Sequence, residues 1–237
     1  MTRRRWIADQ VSGSRAVLTG SHAQHLSRVL RAKICQEFDI AADGELRRGR
    51  IVHIDDTRVE FELGDPIHVP TALDVTLALS IFKFDRMEWA IEKCTELGVN
   101  RIIPVIAART EKHLAAAADK RVDRWRRLAT QASEQSRRVA APEISPPTHI
   151  KELLAIPASS RIVLSEIEQD TTLKDALTAV QSTQGLALAI GPEGGWTENE
   201  LKLFSEAGWK PASLGGTILR VETAAIVALA IVQSQLN

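Results

Sequence analysis

The sequence predicts an α/β protein in which a small β-barrel-like domain precedes a domain built on a parallel sheet. Short β-like runs separated by turn residues fill the first part of the chain, and from residue 72 onward strands alternate with helices. Such alternation is typical of right-handed crossovers and a buried parallel sheet. We therefore expect one domain over residues 1–70 and a second over residues 71–237.

The front domain is predicted from apolar runs, one short helix and the turns between them. The expected strands cover 16–18, 38–41, 49–54 and 58–63, and the expected helix covers 21–29. Asp43-Gly44 and Asp55-Asp56 supply residue types that favour tight turns. The prolines between 66 and 70 are expected to mark a linker, because proline lacks the N–H of a strand ladder.

The back domain is predicted from apolar strands that alternate with helices. The expected strands cover 73–82, 101–107, 161–164, 186–190 and 212–214, and the expected helices cover 85–97, 117–140 and 173–181. Gly98 and Gly208 are candidates for glycines that end helices. Thr197 and Glu200 form a capping-box pattern that predicts another helix start, and a last helix is expected from about Glu222.

Composition excludes several classes of protein. The 237 residues are 44% hydrophobic and 25% charged, with 13 Gly and 9 Pro, as in an ordinary globular protein. Cys35 and Cys94 lack C-x-x-C spacing, so we expect neither a metal site nor a disulfide framework. The longest apolar run, 224–232, is shorter than the ~20 residues of a membrane helix. With no apolar export segment near the N-terminus, these features predict a soluble protein of the reducing cytoplasm.

The formal net charge of zero conceals an uneven distribution. Residues 1–50 contain ten Lys and Arg against five Asp and Glu, and residues 109–138 contain nine against four. Residues 139–237 contain six against eleven. Each basic segment fits either an ordinary solvated surface or a binding site for a polyanion, and charge alone leaves both open.

The glycine-rich loop Gly191-Pro192-Glu193-Gly194-Gly195 follows an expected strand and precedes a capped helix. Ligands bind at that edge of an open parallel sheet, although a tight turn would need the same glycines. The loop matches neither the dinucleotide nor the P-loop fingerprint. Because Glu193 would repel a pyrophosphate and attract a cation, the loop favours a ligand without phosphate.

A second loop, LGGTILRVET, begins at Leu214 and also lies between a strand and a helix. Its glycines let the backbone approach a flat ring closely, and Leu214, Ile218 and Leu219 would enclose that ring in apolar surface. Arg220 and Glu222 flank the start of the last helix. Glu222 equally fits a structural role, in which its charge favours the helix dipole.

The two loops resemble the signature segments of the 16S rRNA uridine-N3 methyltransferase family, part of the knotted SPOUT methyltransferase superfamily. The resemblance rests on GPEGGWTENEL at 191–201 and LGGTILRVETAA at 214–225. Further matching positions occur in order along nearly the whole chain: His25-Leu26, Val29-Leu30-Arg31, Lys83, Asp85-Arg86-Met87-Glu88, Glu96-Leu97-Gly98-Val99, Pro104, Arg109, Glu134-Gln135-Ser136, Arg138 and Pro142. Thr217 departs from the family pattern, which often has a basic or other polar residue there.

The resemblance implies a PUA-like N-terminal β-barrel that binds RNA, a C-terminal α/β domain with a deep trefoil knot, and a homodimer. It also implies S-adenosylmethionine as methyl donor and 16S rRNA of the small ribosomal subunit as substrate. This cofactor carries a sulfonium cation and no phosphate, in agreement with Glu193 in the glycine loop. The nearly unbroken apolar run in the last helix fits a dimer, since a helix apolar all round must be buried on all sides, although burial within one chain would satisfy the same pattern.

The resemblance assigns roles to individual residues. The expected cofactor-binding residues are Leu164, Ser165, Glu166, Gly191, Glu193, Gly194, Gly195, Leu214, Gly215, Ile218, Leu219 and Thr223. The expected RNA-binding residues are Arg5, His25, Arg28, Arg31, Lys83, Arg86, Arg109, Arg137 and Arg138. Glu222 and Arg220 are the expected catalytic residues: Glu222 would accept the N3 proton of an unpaired uridine, and Arg220 would stabilise negative charge on the uracil oxygens.

Two other functions stay open at this point. One is a methyltransferase of the same superfamily that acts on another RNA, such as tRNA. The other is a non-catalytic RNA-binding or ribosome-assembly protein, against which the intact GPEGG and LRVET segments count. A modification map would separate the first, and a cofactor titration the second.

Overall fold

The computed structural model describes residues 5–67, 73–180 and 185–236. The chain forms two compact units, one from residues 1–71 with 133–140 and the other from residues 72–132 with 141–237. The assignment of 133–140 to the first unit has no counterpart in the sequence patterns. The domain boundary expected near residue 70 stays a prediction.

The first unit is organised around a six-stranded sheet. Its strands are β1 (Arg5–Ile7), β2 (Gln10–Ser12), β3 (Arg15–Thr19), β4 (Glu37–Ala42), β5 (Glu45–Ile54) and β6 (Arg58–Ile67), in the order β1-β4-β5-β6-β3-β2. After β1, the amide of Ala8 donates to Ala41 of β4, whereas the amide of the next residue, Asp9, donates to Val17 of β3. The strands at the two ends of the sheet, β1 and β2, therefore belong to one continuous segment of the chain. The apolar core of this unit includes the fully buried Leu18, Ile40 and Phe61.

The four strands expected in the first unit are confirmed, each longer than predicted. Strands β1 and β2 were not predicted, because three residues are too few to show a period. The expected linker is wrong at Pro66, which lies inside β6 opposite Arg47, while 68–70 lie outside the described residues. The expected helix is present as α1 (Gly20–Gln24) followed by a π-helical turn at His25–Val29.

The second unit contains a parallel sheet, as predicted. Its strands are β7 (Val75–Ser80), β8 (Arg101–Ile106), β9 (Glu143–Ile144), β10 (Thr148–His149), β11 (Ser160–Leu164), β12 (Leu186–Ile190) and β13 (Lys210–Ala212). The order is β10-β8-β7-β12-β11-β13, with β9 also paired to β8, and every pair is parallel. Strand β12 thus lies between two strands that precede it in the chain.

The remaining helices cover both faces of this sheet. They are α2 (Phe84–Glu96), α3 (Lys112–Ala117), α4 (Val122–Gln135), α5 (Ile150–Leu153), α6 (Leu173–Leu177), α7 (Glu198–Glu206) and α8 (Val221–Leu236), with a 3-10 turn at Asp119–Arg121. Leu188 of β12 packs in the core cluster that includes α2 and α8, and its neighbour Ala189 packs in the cluster that includes α5 and α7. Because successive strand residues face opposite sides, a sheet covered on both faces requires the fully apolar sequence of β12.

Several expected boundaries in the second unit are wrong. The long helix expected over 117–140 is divided at the 3-10 turn, and α4 ends at Gln135, before Arg137 with its φ of +59°. Helix α6 ends at Leu177, earlier than the expected residue 181. The last strand, expected at 212–214, is found earlier in the chain as β13 (Lys210–Ala212). Strands β9 and β10 pair with β8 on either side of Pro104, which has no N–H to continue a ladder.

The predicted helix ends and starts are confirmed where glycines and caps mark them. Gly98 and Gly208 have φ of +95° and +79°, a backbone conformation that favours glycine. The Thr197 hydroxyl accepts from the amide of Glu200 at 3.3 Å, and the Glu200 carboxylate accepts from the amide of Thr197 at 2.8 Å. Within the described ranges, no helix is long and apolar enough to span a membrane.

Candidate active site

A cavity of about 870 Å³ opens at the carboxyl edge of the parallel sheet, where the loops after β11, β12 and β13 meet. It is lined by Arg86, Leu164, Ser165, Glu166, Glu168, Gln169, Thr172, Ile190, Gly191, Pro192, Glu193, Gly194, Gly195, Ser213, Leu214, Gly215, Gly216, Thr217, Ile218, Leu219, Arg220, Val221 and Ala224. Eleven of the twelve predicted cofactor-binding residues are in this lining, and Thr223 is not. The structure therefore brings both predicted glycine loops to one site, where parallel sheets bind ligands.

The loop after β12 is held against the end of β11 by Trp196. Its indole Nε1 donates to the carbonyl oxygen of Leu164 at 3.0 Å, and its ring packs on Phe204 of α7 with centroids 4.9 Å apart. Gly195 has a φ of +69°, and a β-carbon there would overlap the carboxylate of Glu166. The last glycine of the loop is thus favoured for its backbone conformation, and a side chain there would displace the Glu166 carboxylate.

Arg109, a predicted RNA-binding residue, lies beside the same loop. Its guanidinium donates to the carbonyl oxygens of Gly194 and, at 3.3 Å, Trp196. The neighbouring Ala108 amide donates to the buried Glu200 carboxylate at 2.7 Å, which links the segment after β8 to the start of α7. The predicted RNA contact of Arg109 stays a prediction. Glu200 was predicted as a capping residue, but nothing in the sequence indicated its hydrogen bond with the Ala108 amide.

Carboxylates outnumber cations in the cavity wall. Glu166, Glu168 and Glu193 contribute three negative charges, and Arg86 and Arg220 contribute two positive charges. Among the described residues, the lining contains no lysine, so it lacks the usual phosphate-binding side chain of a P-loop. A cationic ligand is favoured here over a phosphate ester.

The second loop contributes exposed apolar surface and the start of α8. Gly215 has a φ of +109°, and Ile218 has 87% of its surface exposed beside the half-buried Leu219. Arg220 is exposed and lines the cavity, as its predicted role requires. Those apolar groups are available to cover a flat ring of a ligand.

Glu222 is more deeply placed than its predicted role suggested. Its side chain is only 7% exposed, and the residue is not part of the cavity lining. Its Oε1 lies 3.8 Å from Nε of Arg86, whose Nη1 lies 3.3 Å from Oε1 of Glu193. Over the described residues, Oε2 of Glu222 is buried and has no hydrogen-bond partner. Arg86, predicted to bind RNA, therefore stands between Glu222 and the cavity.

The other predicted RNA-binding residues are spread over the two units. Arg5 donates to the carbonyl oxygen of Arg137, and Arg28 pairs with Asp56 at 2.7 Å. His25 and Arg31 are exposed, the latter with a φ of +49°.

Lys83 is exposed just before α2, whereas Arg138 is half-buried, and burial lowers the pKa of the Arg138 guanidinium. RNA contacts stay predictions for all of these residues. Within the described ranges, no group of three or more His, Cys, Asp or Glu side chains could hold a metal ion.

Comparison with known proteins gives the family. The sequence matches the RNA methyltransferase domain family over residues 69–233. A relative named ribosomal RNA small subunit methyltransferase E, from Synechocystis, is 31% identical, with 97% of this chain and 76% of that protein aligned. The protein of the same name from Rickettsia conorii is 31% identical, with 88% and 85% aligned.

Solved structures agree with this assignment. Ribosomal RNA small subunit methyltransferase E of Neisseria gonorrhoeae, bound to S-adenosyl methionine, superposes with a TM-score of 0.81 at 29% identity over 98% of both chains. A Legionella pneumophila methyltransferase in complex with the same cofactor gives 0.79 at 28% identity, over 99% of this chain and 98% of that one. The chain therefore belongs to the RNA methyltransferase family, alongside the ribosomal RNA small subunit methyltransferase E proteins.

Proposed function

We propose that this protein transfers a methyl group from S-adenosylmethionine to N3 of a uridine in 16S rRNA of the small ribosomal subunit. The observation that carries the proposal is the cavity at the carboxyl edge of the sheet, in which both glycine loops and three carboxylates surround one space. Relatives that share the family are named for small-subunit rRNA methylation, and two solved relatives bind this cofactor. A cytoplasmic location is proposed with this function, because the rRNA substrate is found there.

The residues present fit this cofactor. A cavity of about 870 Å³ is within the ordinary range for sites that hold a small molecule. Glu166, Glu168 and Glu193 offset the positive charge of a sulfonium and an ammonium group. Gly195 lets the backbone come close to the ligand, and Leu214 and Leu219 supply apolar contacts for an adenine ring.

The bound cofactor supplies an activated methyl group, and the protein must present N3 of uracil to it. Because N3 lies on the Watson–Crick edge, the target base must be unpaired and turned into the cavity. Glu222 accepts the N3 proton, and Arg220, which lines the cavity, stabilises the negative charge that spreads to the uracil oxygens. What supports Glu222 is its position at the start of α8, where its Oε1 lies 3.8 Å from Nε of the cavity residue Arg86.

The first unit is proposed to be a PUA-like barrel that binds the RNA. The segment from β1 to β2 pairs with both β4 and β3, which supports a closed arrangement of the sheet. The exposed His25 and Arg31 lie at and after the π-helical turn, where they are accessible to phosphate groups. The cofactor-binding unit is likewise proposed to contain a trefoil knot, since β12 is inserted between β7 and β11. A crystal structure that traces an unthreaded chain from β11 to α8 overturns the knot.

A homodimer through α8 is proposed from the outer side of that helix. Ala225, Ala228 and Leu229 are buried in the core of the unit, whereas Val227 is half-buried and Ala230 is exposed. An apolar side left uncovered in one chain is suited to an isologous contact with a second copy. Sedimentation at micromolar concentration tests this, and a monomer mass contradicts it.

Mass spectrometry of 16S rRNA from cells with and without the gene tests the function. We expect loss of one N3-methyluridine, restored by the wild-type gene and not by one encoding Glu222→Gln. If 16S rRNA is unchanged and a tRNA methylation is lost instead, the substrate of this protein is tRNA. Failure of the pure protein to bind S-adenosylmethionine in calorimetry would leave only a non-catalytic role.

A further inference from the structure

One arginine lies between two carboxylates, one in the glycine loop of the cavity and one in the first turn of α8. Arg86, in the first turn of α2, lies 3.3 Å from Glu193 of the glycine loop and 3.8 Å from Glu222 of α8. We propose that Arg86 is the positioning residue for methyl transfer: it holds Glu222 in place for proton removal and links it to the cofactor loop. This inference rests on the proposed function, in which Glu222 accepts the uracil proton.

Burial is the first argument. The Glu222 side chain is 7% exposed, whereas those of Arg86 and Glu193 are 34% and 38% exposed. A buried carboxylate is costly unless a cation compensates it, and a carboxylate without one takes up a proton more readily. Over the described residues, the ion pair found for Glu222 is the one with Arg86. Arg86 is therefore the cation that compensates the buried Glu222 carboxylate.

Geometry is the second argument. Arg86 meets Glu222 with Nε and Glu193 with Nη1, so its planar guanidinium serves both carboxylates at once. Its approach to Oε1 of Glu222 leaves Oε2, which is buried and unpartnered over the described residues. A lysine at this position would present one compact ammonium and could not occupy both places as a fork does.

The third argument is the position of Glu193. It lies in the loop that contributes four other residues to the cavity, so a shift of this loop is passed to Arg86 and from there to Glu222. Occupancy of the cofactor site and readiness of the proton acceptor are thereby connected through one side chain. The RNA contact that the resemblance implied for Arg86 is replaced by a role inside the cavity.

Single-turnover methyl transfer at saturating RNA and cofactor tests the inference with Arg86→Met, Arg86→Lys, Glu222→Gln and the double variant Arg86→Met/Glu222→Gln. Loss of an effective proton acceptor costs about 100-fold or more, so Arg86→Met should slow transfer by that order. Arg86→Lys should recover part of the rate. In the double variant, Arg86→Met should add less than about threefold to the effect of Glu222→Gln, because both act on one step.

Binding measurements complete the test. The RNA dissociation constant of Arg86→Met should stay within about threefold of wild type, a difference worth less than about 1 kcal/mol, and cofactor is kept saturating because Arg86 itself lines the cavity. Lys202→Met, on the exposed side of α7, is the control and should change none of these quantities. If Arg86→Met fails to fold, Glu193→Gln serves in its place: it removes the more exposed ion pair of Arg86, the one with Glu193, and should still slow methyl transfer several-fold.

Two results overturn the inference. In the first, the rate losses of Arg86→Met and Glu222→Gln multiply in the double variant, so that the two residues act independently. In the second, Arg86→Met binds RNA weakly yet transfers methyl at the wild-type single-turnover rate. Both leave the proposed function intact, because wild-type transfer to 16S rRNA is measured in the same assay. Absence of that wild-type transfer would instead remove the proposed function itself.

Discussion

Trp196 donates a hydrogen bond from Nε1 to the main-chain oxygen of Leu164 across 3.0 Å, and both residues are buried. The bond joins the glycine loop after β12 to the last residue of β11, its neighbour in the sheet. The wall of the cavity is therefore held by a side chain from outside the five-residue glycine motif. A loop fixed in this way is preorganised for a ligand, which lowers the entropic cost of binding.

Removing that donor should weaken both the fold and the cofactor site. Trp196→Phe keeps an aromatic ring against Phe204 and leaves the buried Leu164 oxygen without its partner, which costs about 1–3 kcal/mol. Urea unfolding gives the loss of stability, and calorimetry gives the loss of cofactor affinity. Trp89→Phe, at a residue 47% exposed on α2, serves as control and should be nearly neutral. Equal effects of the two substitutions would disprove a special role for the Trp196 bond.

Glycine substitutions should differ sharply according to backbone conformation. Gly195 has a φ of +69° and faces Glu166, so Gly195→Ala should cost about 1–2 kcal/mol in backbone strain and displace a predicted cofactor-binding carboxylate. Gly216 has open space where a β-carbon would be, so Gly216→Ala should be mild. Cofactor titration should show roughly tenfold weaker binding for the first variant. Wild-type affinity in Gly195→Ala would mean that the loop conformation does not determine binding.

The first unit should lose stability as pH rises above neutrality because of His22. A hydrogen bond from Nε2 of His22 to the Glu134 carboxylate at 3.1 Å, with further attraction to Glu134 and Asp9, raises the pKa of His22 above its ordinary 6.5 despite partial burial. A raised pKa in the folded state means that the stabilisation is complete below pH 6.5 and is lost as pH rises through the folded value.

Urea unfolding at pH 6 and pH 8 checks this dependence. His22→Gln should flatten the pH dependence of the free energy of unfolding, mainly by lowering stability at pH 6. His113→Gln, at a side chain 73% exposed, is the matched control and should keep the wild-type slope. A steeper slope in His22→Gln contradicts the assignment.

RNA affinity should depend on Arg31 through charge alone. Arg31 is exposed after the π-helical turn, so Arg31→Gln should weaken binding of all RNA sequences alike and leave cofactor affinity unchanged. Loss of one phosphate contact lowers the slope of log affinity against log salt by about 0.7–0.9. Filter binding over a salt series measures this slope, with Lys202→Gln as the control. An unchanged slope would place Arg31 outside the RNA interface.

Local patterns predicted the parts of the fold that short segments determine. The apolar run of β12 marked a strand buried on both faces, and Thr197 with Glu200 marked the start of α7. The end of α4 could not be found in this way, since it depends on the positive φ of Arg137. The glycine loops were found because their residue types restrict the backbone.

Local sequence patterns could not predict contacts between residues that are far apart in the chain. Arg86 meets Glu193 across 107 positions and Arg109 meets Gly194 across 85. Positive charge identifies both arginines as candidates for an anionic partner, and either a phosphate or a carboxylate satisfies that condition. Only the folded chain shows that carboxylate and carbonyl oxygens of the cavity loops are close to them. Burial of Glu222 behind Arg86 is a consequence of the same packing.

Substitution of Glu222 should affect the chemical step more than binding. Glu222→Gln keeps the shape of the side chain and removes its ability to accept a proton, so single-turnover transfer should slow by about 100-fold or more. Arg220→Ala, at an exposed cavity residue, should slow the same step through loss of charge stabilisation. RNA affinity should change little in either variant, because both interactions strengthen in the transition state. Glu198→Gln, at an exposed first-turn residue of α7, is the matched control for a helix-dipole effect. If Glu222→Gln transfers methyl at the wild-type rate, Glu222 acts only at the helix start, and the uridine proton leaves by another route.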